Sequence, residues 1–265
     1  MSMHPHAIID PKRPSAKFQG RCALAVMAKA PKAGRVKTRL SPPLDLYQAA
    51  ALNTAFLRDT IACLKEVEAA VEAIAVISYT PIGEEASFSG IVPDDVLLIP
   101  QRGEGFGERL QHTAEDLFAA GFRAVCLIDS DSPTVPRSAY SDAVDCLLAH
   151  ADCAVLGPSA DGGYYLIGLN TLHPRLFEEI NWSTPVVAEQ TRQRAQELDL
   201  PVHSLPTWFD VDDRQTLARL YRELVISDTG REGFAATHTV DYLRTITHHL
   251  DEMSMAAISE EKANQ

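Results

Sequence analysis

The stretch "LAVMAKAPKAGRVKTRLSPPL", Leu24 to Leu44, decides how the chain is read. An apolar run stops at Met27 and gives way within a dozen residues to Lys29, Lys32, Arg35, Lys37 and Arg39. From Cys22 to Ala28 the run is continuously apolar rather than alternating, which marks a strand covered on both faces. The Ala- and Leu-rich segment 46–67 has the periodicity of a helix. A buried strand, a basic loop and a helix, in that order, open a parallel α/β sheet. In such sheets ligands bind beyond the carboxyl ends of the strands.

The alternation continues along the chain. Residues 70–80 and 95–100 read as strands, 107–121 as a helix stopped by Gly121, and 124–129 as a buried strand. A helix over 138–150 leads to strands at 153–158 and 164–169, joined by a tight Asp-Gly-Gly turn. Then come a helix at 185–198, a short strand at 201–205, a helix at 213–226, a last helix near 238–251 and a polar tail. The expected fold is a three-layer α/β/α sandwich with a mostly parallel central sheet and a small antiparallel insertion in its second half. Residues 1–20, with three prolines, read as a flexible arm, 21–226 as the α/β domain, and 227–265 as a helical extension and tail.

Charge narrows the partners. Against 24 Lys+Arg stand 36 Asp+Glu, a net charge of -12, which argues against a nucleic-acid footprint or an anionic membrane surface. Affinity for polyanions is expected only at the basic loop. No apolar stretch reaches the roughly 20 residues of a membrane span, and the N-terminus lacks the apolar centre of a signal peptide. The cysteines Cys22, Cys63, Cys126, Cys146 and Cys153 show no CxxC spacing and read as buried free thiols, in keeping with a reducing cytoplasm.

Four segments carry the candidate chemistry. The basic loop suits phosphate oxygens, since arginine offers a planar fork and lysine a mobile point charge; it is not a Walker loop, because Gly34 is its only glycine. In "LIDSDSPTVP" (127–136), Asp129 and Asp131 follow a buried strand and are candidate ligands of Mg²⁺ or Mn²⁺, or else belong to a turn that caps the next helix. In "GPSADGGYYLIGL" (157–169), Gly162 and Gly163 permit unusual backbone angles and close approach to a ligand, and Asp161 projects from the turn. In "WFDVDDRQTLARL" (208–220), Asp212 reads as a helix N-cap with Gln215 three residues on, a role that does not exclude metal binding, and Asp210 or Asp212 is expected to join Asp131 on the ion. A fifth segment, with Gly103, Gly105 and Gly107, imitates a dinucleotide fingerprint, but its third glycine is one position early. GxSxG and HExxH are absent and the nine histidines show no ligand spacing, which lowers hydrolase and zinc readings.

Taken in order, "AKAPKAGRVKTRL", "GERL", "DSDSPTV", "GPSADGGYYLIGL", "INWST" and "FDVDD" resemble the DUF2064 family from about Cys22 to Leu220. That family is glycosyltransferase type A-like, and is related to the nucleotide-diphospho-sugar transferases and to 2-phospholactate guanylyltransferase. The resemblance implies that the loop around Ala28 takes the place of a nucleotide loop, with Lys29, Lys37 and Arg39 on the phosphates. It implies a metal-binding role for Asp131, and places Asp161 in an Asp-Gly-Gly motif and Asp210 and Asp212 in a late Asp-Val-Asp. Asp129 stands where the family motif has Gly, and Ser132 where it usually has Cys. The expectation is a cytoplasmic, metal-dependent transferase moving a glycosyl group from a nucleoside-diphosphate sugar to a small-molecule acceptor, with Asp161 orienting or deprotonating the acceptor. Two alternatives stay open: a nucleotidyltransferase that uses an NTP and releases pyrophosphate, and a non-catalytic nucleotide-binding protein. The residues past 227 would cover the acceptor side or supply a homodimer contact.

Overall fold

The structure, a computed structural model, describes residues 6–227 and 233–247. Seven strands form one sheet: β1 (Cys22–Lys29), β2 (Ala73–Thr80), β3 (Leu97–Pro100), β4 (Ala124–Ile128), β5 (Ala154–Pro158), β6 (Tyr164–Leu169) and β7 (Val202–Ser204). Their order is β3-β2-β1-β4-β6-β5-β7, and β6 alone runs antiparallel to its neighbours β4 and β5. The helices are α1 (Leu46–Glu68), α2 (Phe106–Ala120), α3 (Arg137–Ala149), α4 (Val187–Glu197), α5 (Arg214–Tyr221) and α6 (Thr237–Thr245). The expected α/β/α sandwich with an antiparallel insertion is the observed fold.

Period-two side-chain alternation splits β1 between two cores. Cys22, Leu24, Val26 and Ala28 pack with α1 and α3, whereas Ala23 and Ala25 pack with α2 and α4. Both faces of β1 are therefore dry, which is why its sequence is a run and not an alternation. From β1 the chain crosses to β2 and β3 on one side, then returns to place β4 on the other. The carboxyl ends of β1 and β4 thus flank the point where strand order reverses, where such sheets open a crevice.

Local signals set the helix ends. Asp45 caps α1, accepting from Tyr47 N and Gln48 N at 2.8 Å each, while Gln48 Oε1 accepts from Asp45 N at 2.9 Å. Gly121 closes α2 at φ 112°, a left-handed angle that glycine adopts without strain.

Two boundary expectations are corrected. Residues 6–20 are not a free arm. Ile9 N donates to Leu98 O (2.8 Å) and Leu98 N to Ala7 O (3.0 Å), while Phe18 stacks on Phe122 with ring centroids 4.3 Å apart. The physical reason is the edge of β3, whose backbone groups want partners and whose apolar surface takes Ile9 and Phe18. Nor do the described residues past 227 stand apart. Phe234 N donates to Thr134 O (2.9 Å), and α6 joins α1 and α5 in a third apolar cluster built on Leu52, Phe56, Leu220 and Leu243. The end of the expected last helix and the polar tail lie outside the described residues.

The anchor of α6 is a carboxylate on another helix. Asp59, fully buried on α1, accepts from His238 N (3.0 Å) and Thr239 N (2.7 Å), two of the donors that a helix N-terminus leaves unpaired. Burial lifts the Asp59 carboxyl above its ordinary range, against the pull of those donors. Asp59→Ala is expected to lower unfolding free energy by about 1–3 kcal/mol, and Asp59→Asn by clearly less, in urea titrations followed by fluorescence.

Candidate active site

The loop after β1 re-enters the molecule at Lys37, a non-glycine residue held at φ 48°. That left-handed backbone turns the side chain inward, where only 4% of it remains exposed. Its ammonium lies 2.8 Å from Asp131 Oδ1, 2.8 Å from Asp212 Oδ1 and 2.7 Å from Val211 O. An ammonium has three hydrogens, and all three are used. The aromatic face of Phe56 stands 5.8 Å away.

Each partner reaches this point for a local reason. Asp131 follows the buried β4, and its backbone O accepts from Val211 N at 3.0 Å, which brings the Asp-Val-Asp segment alongside. Asp212 is freed for Lys37 because the capping duty falls elsewhere. The expected N-cap at Asp212 is corrected: Asp213 caps α5, accepting from Thr216 N at 2.8 Å, while Thr216 Oγ1 accepts from Asp213 N at 3.1 Å. Thr216, not Gln215, is the residue three positions on.

Above the triad lies a cleft of about 370 Å³, lined by Lys29, Lys37, Arg39, Asn53, Asp131 and Asp212 among others. Lys29 and Arg39 are exposed to it, whereas Lys37 forms its floor. Lys37, expected on phosphate, is thus committed to two carboxylates and a carbonyl in this state. Ala28 is buried beneath the cleft rather than lining it.

The remaining predicted residues sit behind or beside the floor. Asp129 accepts from Ser132 Oγ at 2.7 Å, and Asp210 from Ser159 Oγ at 2.7 Å. Asp161 is exposed at the β5–β6 turn and accepts from Gly163 N at 2.8 Å. Gly162 is required there, since a Cβ would fall 2.0 Å from Pro185 O. Among the described residues, no three of these carboxylates bring oxygens within 4.8 Å of one another. Asp131 and Asp212 meet at the Lys37 ammonium, whereas Asp129 and Asp210 are held by Ser132 and Ser159, because like charges separate unless a cation stands between them and here Lys37 does so for one pair.

Electrostatics nonetheless joins them. Burial pulls the Lys37 ammonium down, but the charges of Asp131 and Asp212 outweigh it and leave its pKa raised. Burial pushes Asp212 up, and Lys37 with Arg39 overrides it, leaving Asp212 lowered. Asp129 is raised well above the carboxylate range by burial and then by Asp131; Asp210 is raised by burial and by Asp161 and Asp212, against the hydrogen bond from Ser159. The donor set fits a hard divalent ion: Asp131 and Asp212 are oxygen ligands that already converge on a positive charge.

Sequence reasoning missed Asn53, Ser130 and Ser183, which line the cleft. For Asn53 a signal existed: a polar residue within the buried stripe of α1, beside Leu52 and Phe56. Ser130 lay inside a quoted motif without being singled out.

The family model described as "Uncharacterized protein conserved in bacteria (DUF2064)" matches residues 63–184. A solved protein of Desulfovibrio desulfuricans G20, described as a candidate nucleotide-diphospho-sugar transferase, is 30% identical, with a TM-score of 0.76 over 89% of this chain and 98% of its own. The chain belongs to the DUF2064 family. It shares the nucleotide-diphospho-sugar transferase fold with that relative. A cytidylyltransferase from Leptospira borgpetersenii serovar Hardjo-bovis is 12% identical, with a TM-score of 0.49 over 87% of this chain and 96% of its own. A 4-diphosphocytidyl-2C-methyl-D-erythritol synthase from Anaerococcus prevotii is 10% identical, with a TM-score of 0.48 over 75% and 96%. Both are too distant to inform the chemistry. No curated protein matches the sequence. Within the DUF2064 chain, the matched stretch contains Asp129, Asp131, Asp161, Gly162 and Gly163, whereas the basic loop, Asp210 and Asp212 lie outside it.

The raised Asp129 means that its ionisation costs stability, a cost absent below the ordinary carboxylate value of 3.8 and growing as pH rises through the folded value. Asp129→Asn is therefore expected to raise the melting temperature at pH 7.5 and to give no gain near pH 3.5, in thermal melts followed by fluorescence. Asp212→Asn is expected to do the reverse at pH 7.5, since a lowered carboxyl contributes stability that is lost only as pH falls below 3.8 through its folded value.

Proposed function

We propose that the protein is a metal-dependent transferase that moves a glycosyl group from a nucleoside-diphosphate sugar to a small-molecule acceptor. The observation that carries this reading is the Lys37–Asp131–Asp212 triad at the floor of a cation-rimmed cleft where strand order reverses. The 30% identical relative described as a nucleotide-diphospho-sugar transferase candidate supports the same donor class.

Lys29 and Arg39 present free cationic groups to the diphosphate, the arginine through its fork and the lysine as a point charge. Asp131 and Asp212 would hold Mg²⁺ or Mn²⁺, which would supply neutralisation of the charge developing on the departing phosphate. Lys37 stands in for that ion in the metal-free protein. Once displaced from the carboxylates, its ammonium is free to turn up into the cleft toward phosphate oxygens. Asp161, exposed at the carboxyl end of β5, orients the acceptor hydroxyl or takes its proton. Asp210, held by Ser159 and sensing the charge of Asp161, backs that residue electrostatically. The chain's contribution is placement and charge compensation more than covalent chemistry.

Incubation with panels of nucleoside-diphosphate sugars and of NTPs, each with Mg²⁺ or Mn²⁺ and candidate acceptors, tests the reading. Free nucleoside diphosphate is the expected product. Pyrophosphate released from an NTP would replace this reading with nucleotidyl transfer, and binding without turnover would reduce it to a nucleotide-binding protein. Asp131→Asn is expected to lower kcat by about 10²–10³. Lys29→Ala and Arg39→Ala are each expected to weaken nucleotide binding by about tenfold or more with a smaller effect on kcat.

A further inference from the structure

A second cluster of ligating side chains lies at the other end of the sheet, and the transferase reading does not use it. Cys146 and His150 are four residues apart on one face at the end of α3, where His150 is the C-cap. The chain turns through Ala151 and Asp152, and Cys153 comes back immediately before β5. One ligand atom from each of Cys146, His150 and Cys153 lies within 4.8 Å of the others, the one such convergence of three among the described residues. We infer that Cys146, His150 and Cys153 form a zinc site that fastens the end of α3 to the start of β5.

The spacing fits. His150 Nδ1 is 3.8 Å from Cys146 Sγ. Around a tetrahedral zinc, bonds of about 2.3 Å to sulfur and 2.0 Å to nitrogen set those atoms about 3.5 Å apart. Two thiolates and a neutral imidazole neutralise Zn²⁺, and soft sulfur with imidazole selects it over Mg²⁺. Cys153 is buried, Cys146 partly so and His150 exposed, so the fourth position faces solvent and takes water. Binding replaces two S–H bonds by two Zn–S bonds and releases both protons.

The surroundings are also built for it. Asn170, only 5% exposed, follows β6 and reaches every piece of the turn. Its Oδ1 accepts from Cys153 N at 3.1 Å, and its Nδ2 lies 3.0 Å from Leu147 O, 3.0 Å from His150 O and 3.8 Å from Cys153 Sγ. Its two amide hydrogens serve the two carbonyls and its oxygen the Cys153 N–H, which fixes the backbone on both sides of the cluster as outer support for a metal site. Burial alone explains Cys153, and His150 Nδ1 lies 2.8 Å from Cys146 O, a helix-end hydrogen bond that zinc would replace on that nitrogen. Neither explains three donor atoms converging in front of Asn170. Five residues of β5, about 16 Å of strand, separate this cluster from the carboxyl end that bears Asp161, so it stands apart from the proposed transferase site.

The test uses the full chain, reduced and metal-free, titrated with Co²⁺ as a spectroscopic substitute for zinc. One equivalent is expected to give near-ultraviolet thiolate-to-cobalt charge transfer and the visible bands of tetrahedral cobalt, and Zn²⁺ is expected to bleach both stoichiometrically. Zn²⁺ in excess should raise the melting temperature by about 5 °C or more. His150→Ala, at an exposed position that spares the core, should weaken zinc binding by about 100-fold, and Cys146→Ser should abolish the charge transfer. Asp131→Asn should leave the charge transfer intact, which separates this site from the carboxylate pair. Cobalt binding without charge transfer, a band that survives Cys146→Ser, or a Cys146–Cys153 disulfide in freshly isolated protein would each overturn the assignment.

Discussion

One buried ammonium holds three distant parts of the chain in register. Lys37 belongs to the loop after β1, Asp131 to the loop after β4, and Val211 and Asp212 to the approach to α5. Removing a single carboxylate from this set would leave a desolvated cation half-compensated, which costs several kcal/mol in buried pairs, whereas the intact set is close to break-even against apolar substitutes. Stability is therefore a poor reason for its existence. The proposed cation site gives a better one, because two carboxylates that meet with nothing between them would repel or protonate, and a tethered lysine keeps both ionised and in place.

The scaffold makes that arrangement rigid. β1 is dry on both faces, and α1 is covered on one side by the sheet and on the other by α5 and α6. The same helix supplies Phe56 to Lys37, Asn53 to the cleft and Asp59 to the start of α6. Packing on α1 is thus transmitted directly to the floor of the cleft, and the segment after 233, which leans on Thr134 in the loop beyond Asp131, closes the same wall from outside.

Much of this was legible in sequence because it is written in local patterns. Continuous apolar runs gave β1 and β4, Gly121 the end of α2, and the cationic cluster after Met27 the ligand side of the sheet. What escaped depends on relations between distant segments. The three aspartates 210, 212 and 213 differ only in which way the backbone turns each side chain, so composition could not assign the cap to Asp213 and the ion pair to Asp212. Ile9 finds its partner on β3, nearly ninety residues later, and no local period encodes an edge pairing. Asp59 and Asn53 did leave a trace, as polar residues in a stripe that should be apolar. A buried polar group implies a partner, but the sequence does not say where that partner is.

The charge balance of the cleft explains how an acidic chain can serve an anionic donor. Asp129, Asp131, Asp161, Asp210 and Asp212 are linked by mutual repulsion, and Lys29, Lys37 and Arg39 oppose them, which leaves two positive charges wanting. Burial and mutual repulsion hold Asp129 and Asp210 above the usual carboxylate range, so that proton uptake there is easier than in water and meets part of that deficit. A divalent ion would meet it instead with a charge of two, and would let Lys37 turn from the carboxylates to the phosphates. On that proposal the ion would cancel the excess carboxylate charge and leave Lys29, Arg39 and the released Lys37 to face the phosphates. The acidic composition, which argues against broad polyanion binding, is for that reason compatible with the proposed metal-assisted nucleotide site.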